Sequence, residues 1–175
     1  VGKLADLVAE YSRRLQPIKD RTGREEWALT FDQFQAEIRS LPNIEGEIIE
    51  GLRMLVLNPE TSHCELWIQA AWERPTAALV TPLCQILSVR NRYMQHEWVA
   101  EILGELKSPA SIDCLRDACS FAVEGDVFRS LAKKCLGSLA AIGTASAIAA
   151  IKSQISSPWP EVRREAERVL DQIES

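Results

Sequence analysis

Histidine is almost missing from this chain of 175 residues: only His63 and His96 occur. That scarcity removes the commonest general base and nitrogen ligand from most of the sequence. Neither histidine stands in a nucleophile signature such as GxSxG, and HExxH, the phosphate-binding P-loop and GxGxxG are absent. A dyad of His63 with Cys64 is sterically poor, because adjacent residues on a helix point about 100° apart. Cysteine is present but unpatterned: Cys64, Cys84, Cys114, Cys119 and Cys135 are an odd number without CxxC spacing. They read as small core residues in a reducing compartment, not as a disulfide framework or zinc site. No apolar run approaches the roughly 18 residues of a membrane span. No signal-peptide pattern is present and no stretch keeps the alternation of a strand, so a cytoplasmic, all-helical protein is expected. The opening Val1-Gly2-Lys3 lacks a methionine, which suggests a trimmed chain.

What is present fits a soluble domain with a sizeable core, with 46% hydrophobic and 26% charged residues. The formal charge of −5 repels phosphate backbones and weighs against nucleic acid as a partner. The strongest regularity is a segment that recurs at 95–103, 131–139 and 162–170. In each copy the first, fifth and ninth positions form one row along a helix: Gln95, Val99, Leu103; Leu131, Cys135, Leu139; Val162, Ala166, Leu170. Only Gln95 is polar. The copies start 36 and 31 residues apart, the period of a repeat made of one antiparallel helix pair.

Punctuation agrees with that period. Asp126 is placed to cap a helix carrying Phe128, Leu131, Cys135, Leu136 and Leu139, and Gly143 to end it. Thr144 caps the next helix, with Ile148, Ile151 and Ile155, which Ser156-Ser157-Pro158 breaks; Pro160 and Glu161 open the last. In the preceding unit a helix runs from Tyr93 to Leu106, Ser108-Pro109 resets the chain, and a second helix spans Ile112 to Phe121. Aligning Leu103 with Leu139 also aligns Leu106 with Ile142, Ile112 with Ile148 and Leu115 with Ile151. Upstream, Ser62-His63-Cys64-Glu65 has capping-box spacing before Leu66, Trp67, Ala70 and Ala71. Pro75 leads into a helix pair ending near Val89. Leu4 to Leu15, a second capping box at Thr30-Phe31-Asp32-Gln33, and Ile44 to Leu57 give an irregular helical N-terminal cap. The expectation is one all-α domain over 1–175: irregular helices at 1–60, then a right-handed α-solenoid of helical hairpins at 62–175.

The run Pro160-Glu161-Val162-Arg163-Arg164-Glu165-Ala166-Glu167-Arg168-Val169-Leu170 resembles the second helix of a HEAT (armadillo-like) repeat of the bacterial, phycobilin-lyase-like type. Leu103-Gly104-Glu105-Leu106 followed by Ser108-Pro109-Ala110-Ser111-Ile112 resembles that family's junction between repeats. The likeness is good over 93–174, weak over 62–92 and absent before. It implies stacked hairpins whose second helices line a concave face that usually binds proteins. His96-Glu97 resembles the pair that deoxyhypusine hydroxylase, a HEAT-type enzyme, uses as iron ligands. That family supplies several such pairs, and here the equivalent positions are Ala132-Lys133 and Arg163-Arg164. A lone pair builds no di-iron site, so His96 and Glu97 are read as solvated, and no metal or cofactor is expected.

Trp67 and Trp72 sit on an apolar helix and Trp159 between two prolines, which suits packing. Trp98 falls one residue before the core position Val99, where an exposed ring would anchor a partner. Arg90-Asn91-Arg92 makes a basic turn. The sequence thus predicts a non-enzymatic protein-binding module, with His96, Glu97, Trp98, Glu101, Lys133, Lys134, Arg163, Arg164 and Glu167 presenting a mixed-charge face. Its partner would be a protein. Size, charge and fold resemble bacterial immunity proteins that neutralise a cognate toxin. A generic adaptor or assembly factor is the parallel reading. An enzyme, related to phycobilin lyases, to the hydroxylase or to HEAT-like DNA glycosylases, is the alternative.

Overall fold

Apolar residues at three- and four-residue spacing put nearly all described residues into helices, and no strand occurs among them. The computed structural model describes residues 2–19, 24–59, 64–91, 94–121, 126 and 128–174. The chain divides into two compact units, Val1–Arg74 and Pro75–Ser175. Among the described residues no helix is long and apolar enough to cross a membrane.

The first unit holds α1 (Lys3–Lys19), α2 (Arg24–Ser40), α3 (Glu45–Leu57) and α4 (Cys64–Glu73). Leu4, Tyr11 and Leu15 of α1, Phe34 and Ile38 of α2, and Ile48 and Leu52 of α3 are all fully buried. The Tyr11 and Phe34 rings lie 5.2 Å apart. Glu47 reaches from α3 to the start of α1, where its carboxylate accepts from the Leu4 and Ala5 amides at 2.8 and 3.3 Å. That satisfies donors a helix N-terminus leaves open. At the other end of the unit, Arg74 donates to the Arg39 carbonyl in the last turn of α2 and to the Leu41 carbonyl just after it.

Thr30 does not open a helix. It lies inside α2 and its hydroxyl donates to the Glu26 carbonyl at 2.8 Å. A threonine four residues beyond a helical carbonyl has this bond available, so capping-box spacing alone is ambiguous. The other proposed box, at Ser62-His63, lies outside the described residues; α4 begins at Cys64. Trp72, expected in the core, is 38% exposed.

The second unit is a stack of hairpins. Its helices are α5 (Val80–Ser88), α6 (His96–Leu106), α7 (Ile112–Ala118), α8 (Ser130–Ile142), α9 (Ala145–Ser153) and α10 (Pro160–Glu174). The first helices α5, α7 and α9 touch in succession as one layer, and the second helices α6, α8 and α10 form the other. Apart from Gln95, which precedes α6 and is exposed, the recurring row is buried throughout. Most of the punctuation is where the sequence puts it. The Ser108 hydroxyl accepts from Ala110 N at 3.4 Å, and that of Thr144 from Ala147 N at 3.2 Å. Gly143 takes φ +68°, the left-handed conformation that ends α8. Two apolar side chains assigned inward point out instead: Phe128, at 73% exposure, precedes α8, and Ile155, at 39%, follows α9.

The α6 and α8 helices pack tightly at Gly104, where an added Cβ would lie 2.7 Å from Ser138 Oγ and 3.0 Å from its Cα. The proximity lets the Ser138 hydroxyl donate to the Ala100 carbonyl at 2.7 Å in a buried setting. Cys84 and Cys114 are joined in a disulfide between α5 and α7. This corrects the reading of all five cysteines as unpaired core residues; Cys64, Cys119 and Cys135 are buried thiols. Gly104→Ala should destabilise the protein by about 1–3 kcal/mol through overpacking, outweighing the roughly 1 kcal/mol alanine offers a helix. Gly137→Ala, where the Cβ meets open space, should instead stabilise by about 0.5–1 kcal/mol. Urea melts of both variants check the contrast, and a gain in both would contradict the tight crossing.

Candidate functional site

The start of α6 has no side-chain cap from Gln95 and is held by His96. Far from being solvated, His96 is 4% exposed, and its Nε2 lies 2.7 Å from the Val89 carbonyl just beyond α5. A carbonyl only accepts, so Nε2 carries the proton and donates. Burial pushes the imidazole pKa below its ordinary 6.5, with opposing contributions from backbone bonds to Val89, Ile86 and Met94. The ring is therefore a neutral clamp between the helices of one hairpin.

The next two side chains fan out to other directions along the helix. Glu97 is exposed and Trp98 half-buried. With Met94, Gln95, His96, Asp126 and Leu131 they line a cavity of about 240 Å³. Asp126 enters it as a consequence of capping. Its carboxylate accepts from Ser130 N at 2.7 Å and Leu131 N at 3.3 Å, at the first turn of α8. Glu97 is raised above the usual carboxylate range, first by partial burial and then by the Asp126 charge; Lys134 opposes this and Glu101 adds to it. The cavity is an acidic recess with an indole in its wall. Sequence reasoning found Asp126 as a cap but missed it as a member of this cluster, because its position relative to Glu97 depends on the packing of α6 against α8.

Most of the other residues of the expected binding face have partners of their own. Lys134 and Glu101 form an ion pair between α8 and α6, and that bond raises the lysine pKa. Lys133 favours the ionised form of Glu165, whose pKa is lowered first by its hydrogen bonds with Arg168. Arg163 donates to the Ser157 carbonyl at 2.7 Å, closing the turn before α10. Arg164 sits 3.6 Å from Glu161, and Glu167 is exposed. Only Glu97, Trp98 and His96 of the nine meet in the cavity.

An iron centre of the His-Glu type does not fit these residues. The Nε2 of His96 is committed to Val89, and no group of three His, Cys, Asp or Glu side chains suited to a metal exists among the described residues. His63 lies outside them.

Comparison with known proteins turns on the same enzyme twice. The chain is 29% identical over 164 residues to deoxyhypusine hydroxylase-B of rice (Oryza sativa subsp. japonica), covering 93% of this chain and 52% of that protein. It thus spans about half the length of its relative. Human deoxyhypusine hydroxylase, solved in complex with glycerol, superposes with a TM-score of 0.59 at 23% identity, over 72% of this chain and 43% of that one. The superposition establishes the HEAT-like helical fold. No family model matches. These findings overturn the expectation of a non-enzymatic binding module, whether immunity protein or adaptor, because the similarity runs along nearly the whole chain into an enzyme.

The His96 clamp has a measurable signature. The unfolded chain takes up a proton near the ordinary 6.5 while the folded ring resists it, so stability should fall as pH drops below that value toward the depressed folded pKa. His96→Ala should cost about 2 kcal/mol, through a lost hydrogen bond and a cavity, and flatten that pH dependence. Thermal melts between neutral and mildly acidic pH decide it; an unchanged slope would mean the ring is not the titrating group.

Proposed function

We propose that this chain belongs to the enzyme branch of HEAT-repeat proteins as a deoxyhypusine hydroxylase-like domain. Its contribution is to receive a cationic, amine-bearing side chain in the α6 cavity. The observation that carries the reading is the 29% identity over 164 residues to an enzyme named for deoxyhypusine, an amino acid with a cationic side chain. The acidic recess lies at His96-Glu97, the dipeptide that resembles the enzyme's ligand pair. Glu97 and Asp126 supply negative charge and Trp98 an aromatic wall, a combination suited to an ammonium group and its alkyl stem. Glu97 is raised first by burial and then by the Asp126 charge, and a bound cation would offset both.

Since iron does not fit the described residues, recognition is the part of the reaction assigned to them, and no chemical step is routed through a metal. The finer likeness of residues 160–170 to the phycobilin-lyase type of repeat describes the repeat sequence and supplies no second substrate.

Calorimetric titration with a short peptide bearing deoxyhypusine, against the same peptide bearing norleucine, tests the reading. The deoxyhypusine peptide should bind preferentially, Glu97→Gln should weaken it by about three- to ten-fold, and binding should fade as acid protonates Glu97. Equal affinity for the two peptides, or indifference to Glu97→Gln, would sink the proposal.

A further inference from the structure

The layer of first helices carries a second cavity, of about 470 Å³, whose lining includes Cys84, Cys114, Ser88, Arg90, Asp117 and Phe121. The two cysteines are bonded across α5 and α7, with Cα atoms 5.5 Å apart and a sequence separation of 30. Both are only half-buried, so the bridge faces the cavity. The Arg90 guanidinium lies 5.0 Å over the Phe121 ring, which holds a cation at the cavity edge. The carboxylate of Asp117, the acidic group in the lining, accepts from Arg116 at 3.0 and 3.1 Å, so its charge is already countered. The remaining thiols of this unit differ in kind. Cys119 and Cys135 are fully buried against each other, and the Cys119 contact together with burial holds the Cys135 thiol in its protonated form.

We propose that Cys84–Cys114 is an exchangeable disulfide served by a small-thiol site, in which a carboxylate-bearing low-molecular-weight thiol docks beside Arg90 and opens the bridge. The thiolate attacks one cysteine Sγ, the protein S–S bond breaks, and the other cysteine leaves as a thiolate that takes a proton from water. A second small thiolate attacks the mixed disulfide, frees the remaining cysteine and departs as the small-molecule disulfide. Two small thiols are oxidised and one protein disulfide is reduced, so electrons and atoms balance; the small-molecule disulfide drives the reverse. Open or closed, the bridge decides whether the first helices of two consecutive hairpins are covalently tied. The ligand chemistry is a thiol with at least one carboxylate, recognised by a single arginine in a cavity large enough for a tripeptide-sized molecule.

The test uses the full chain purified in air, with reduced glutathione and neutral 2-mercaptoethanol supplied at matched thiolate concentration. Opening is followed by alkylation and intact mass. The starting protein should show three alkylatable cysteines when denatured and five after opening. Glutathione should open the bridge about three-fold faster than mercaptoethanol, the scale of one partly exposed ion pair. Arg90→Ala should erase that preference and leave the mercaptoethanol rate unchanged. Five reactive cysteines at the outset would overturn the proposal, as would a bridge that resists both thiols in the folded protein. A glutathione preference that survives Arg90→Ala would overturn the assigned site. Cys84→Ser keeps the reading specific, since it should abolish the two-cysteine change; persistence of that change would place the bridge elsewhere.

Discussion

The second unit depends on how closely α8 can approach α6. Without a side chain at Gly104 the two helices meet near Ser138, and the Ser138 hydroxyl then reaches the Ala100 carbonyl. That carbonyl is already in a helix, so the bond adds a second acceptor interaction in a dry interface where an unsatisfied hydroxyl would be costly. The arrangement of the α6 cavity follows from that spacing. Asp126, by capping the first turn of α8, is carried to the mouth of α6 beside Glu97, and Lys134 is brought to Glu101. A wider crossing would separate these charges and open the cavity to bulk solvent.

The hairpin stack was legible because its signals are local and repeated. Rows at four-residue spacing, Ser108 and Thr144 at N-caps, and Gly143 at a left-handed terminus each state their own geometry. Errors occurred where a local signal has two readings. Threonine within reach of a carbonyl four residues back serves a helix interior as well as a start, and Thr30 took the interior role. Phe128 shares the spacing of the α8 core residues but precedes the helix, where Arg129 adopts φ +55° and turns the chain, so helical periodicity does not extend to it. The bridge was illegible in principle. Five cysteines allow many pairings, and the one made joins residues 30 apart whose Cα atoms are brought together only by the stacking of two hairpins.

The functional expectation failed for a different reason. It weighed short motifs, found one His-Glu pair where the enzyme has several, and discounted the enzyme. Similarity spread over 164 residues contains no single decisive motif, so reading motif by motif misses it. The structure nevertheless explains why the lone pair looked inadequate. His96 and Glu97 are adjacent on a helix and therefore diverge: the imidazole turns inward to Val89 while the carboxylate turns outward to the cavity. Both members border the candidate site, and His96 has a structural task besides.

That division locates where a cationic ligand would matter most. Asp126 already has two helix amides to stabilise its charge, and the positive end of the α8 dipole lies at the same place. Glu97 is in the opposite position: partial burial and the neighbouring carboxylates both disfavour its ionised form, with Lys134 the compensating charge. Lys134 is itself bonded to Glu101, so its positive charge is divided between two acidic neighbours. An arriving ammonium group would therefore gain less from Asp126, whose charge is already stabilised, than from Glu97, whose ionised form it would favour. The same logic explains the role of Trp98, whose half-buried ring places apolar and π surface beside that carboxylate. A cation with an alkyl stem can use both, whereas a bare metal ion would find too few ligands and an anion would meet two like charges.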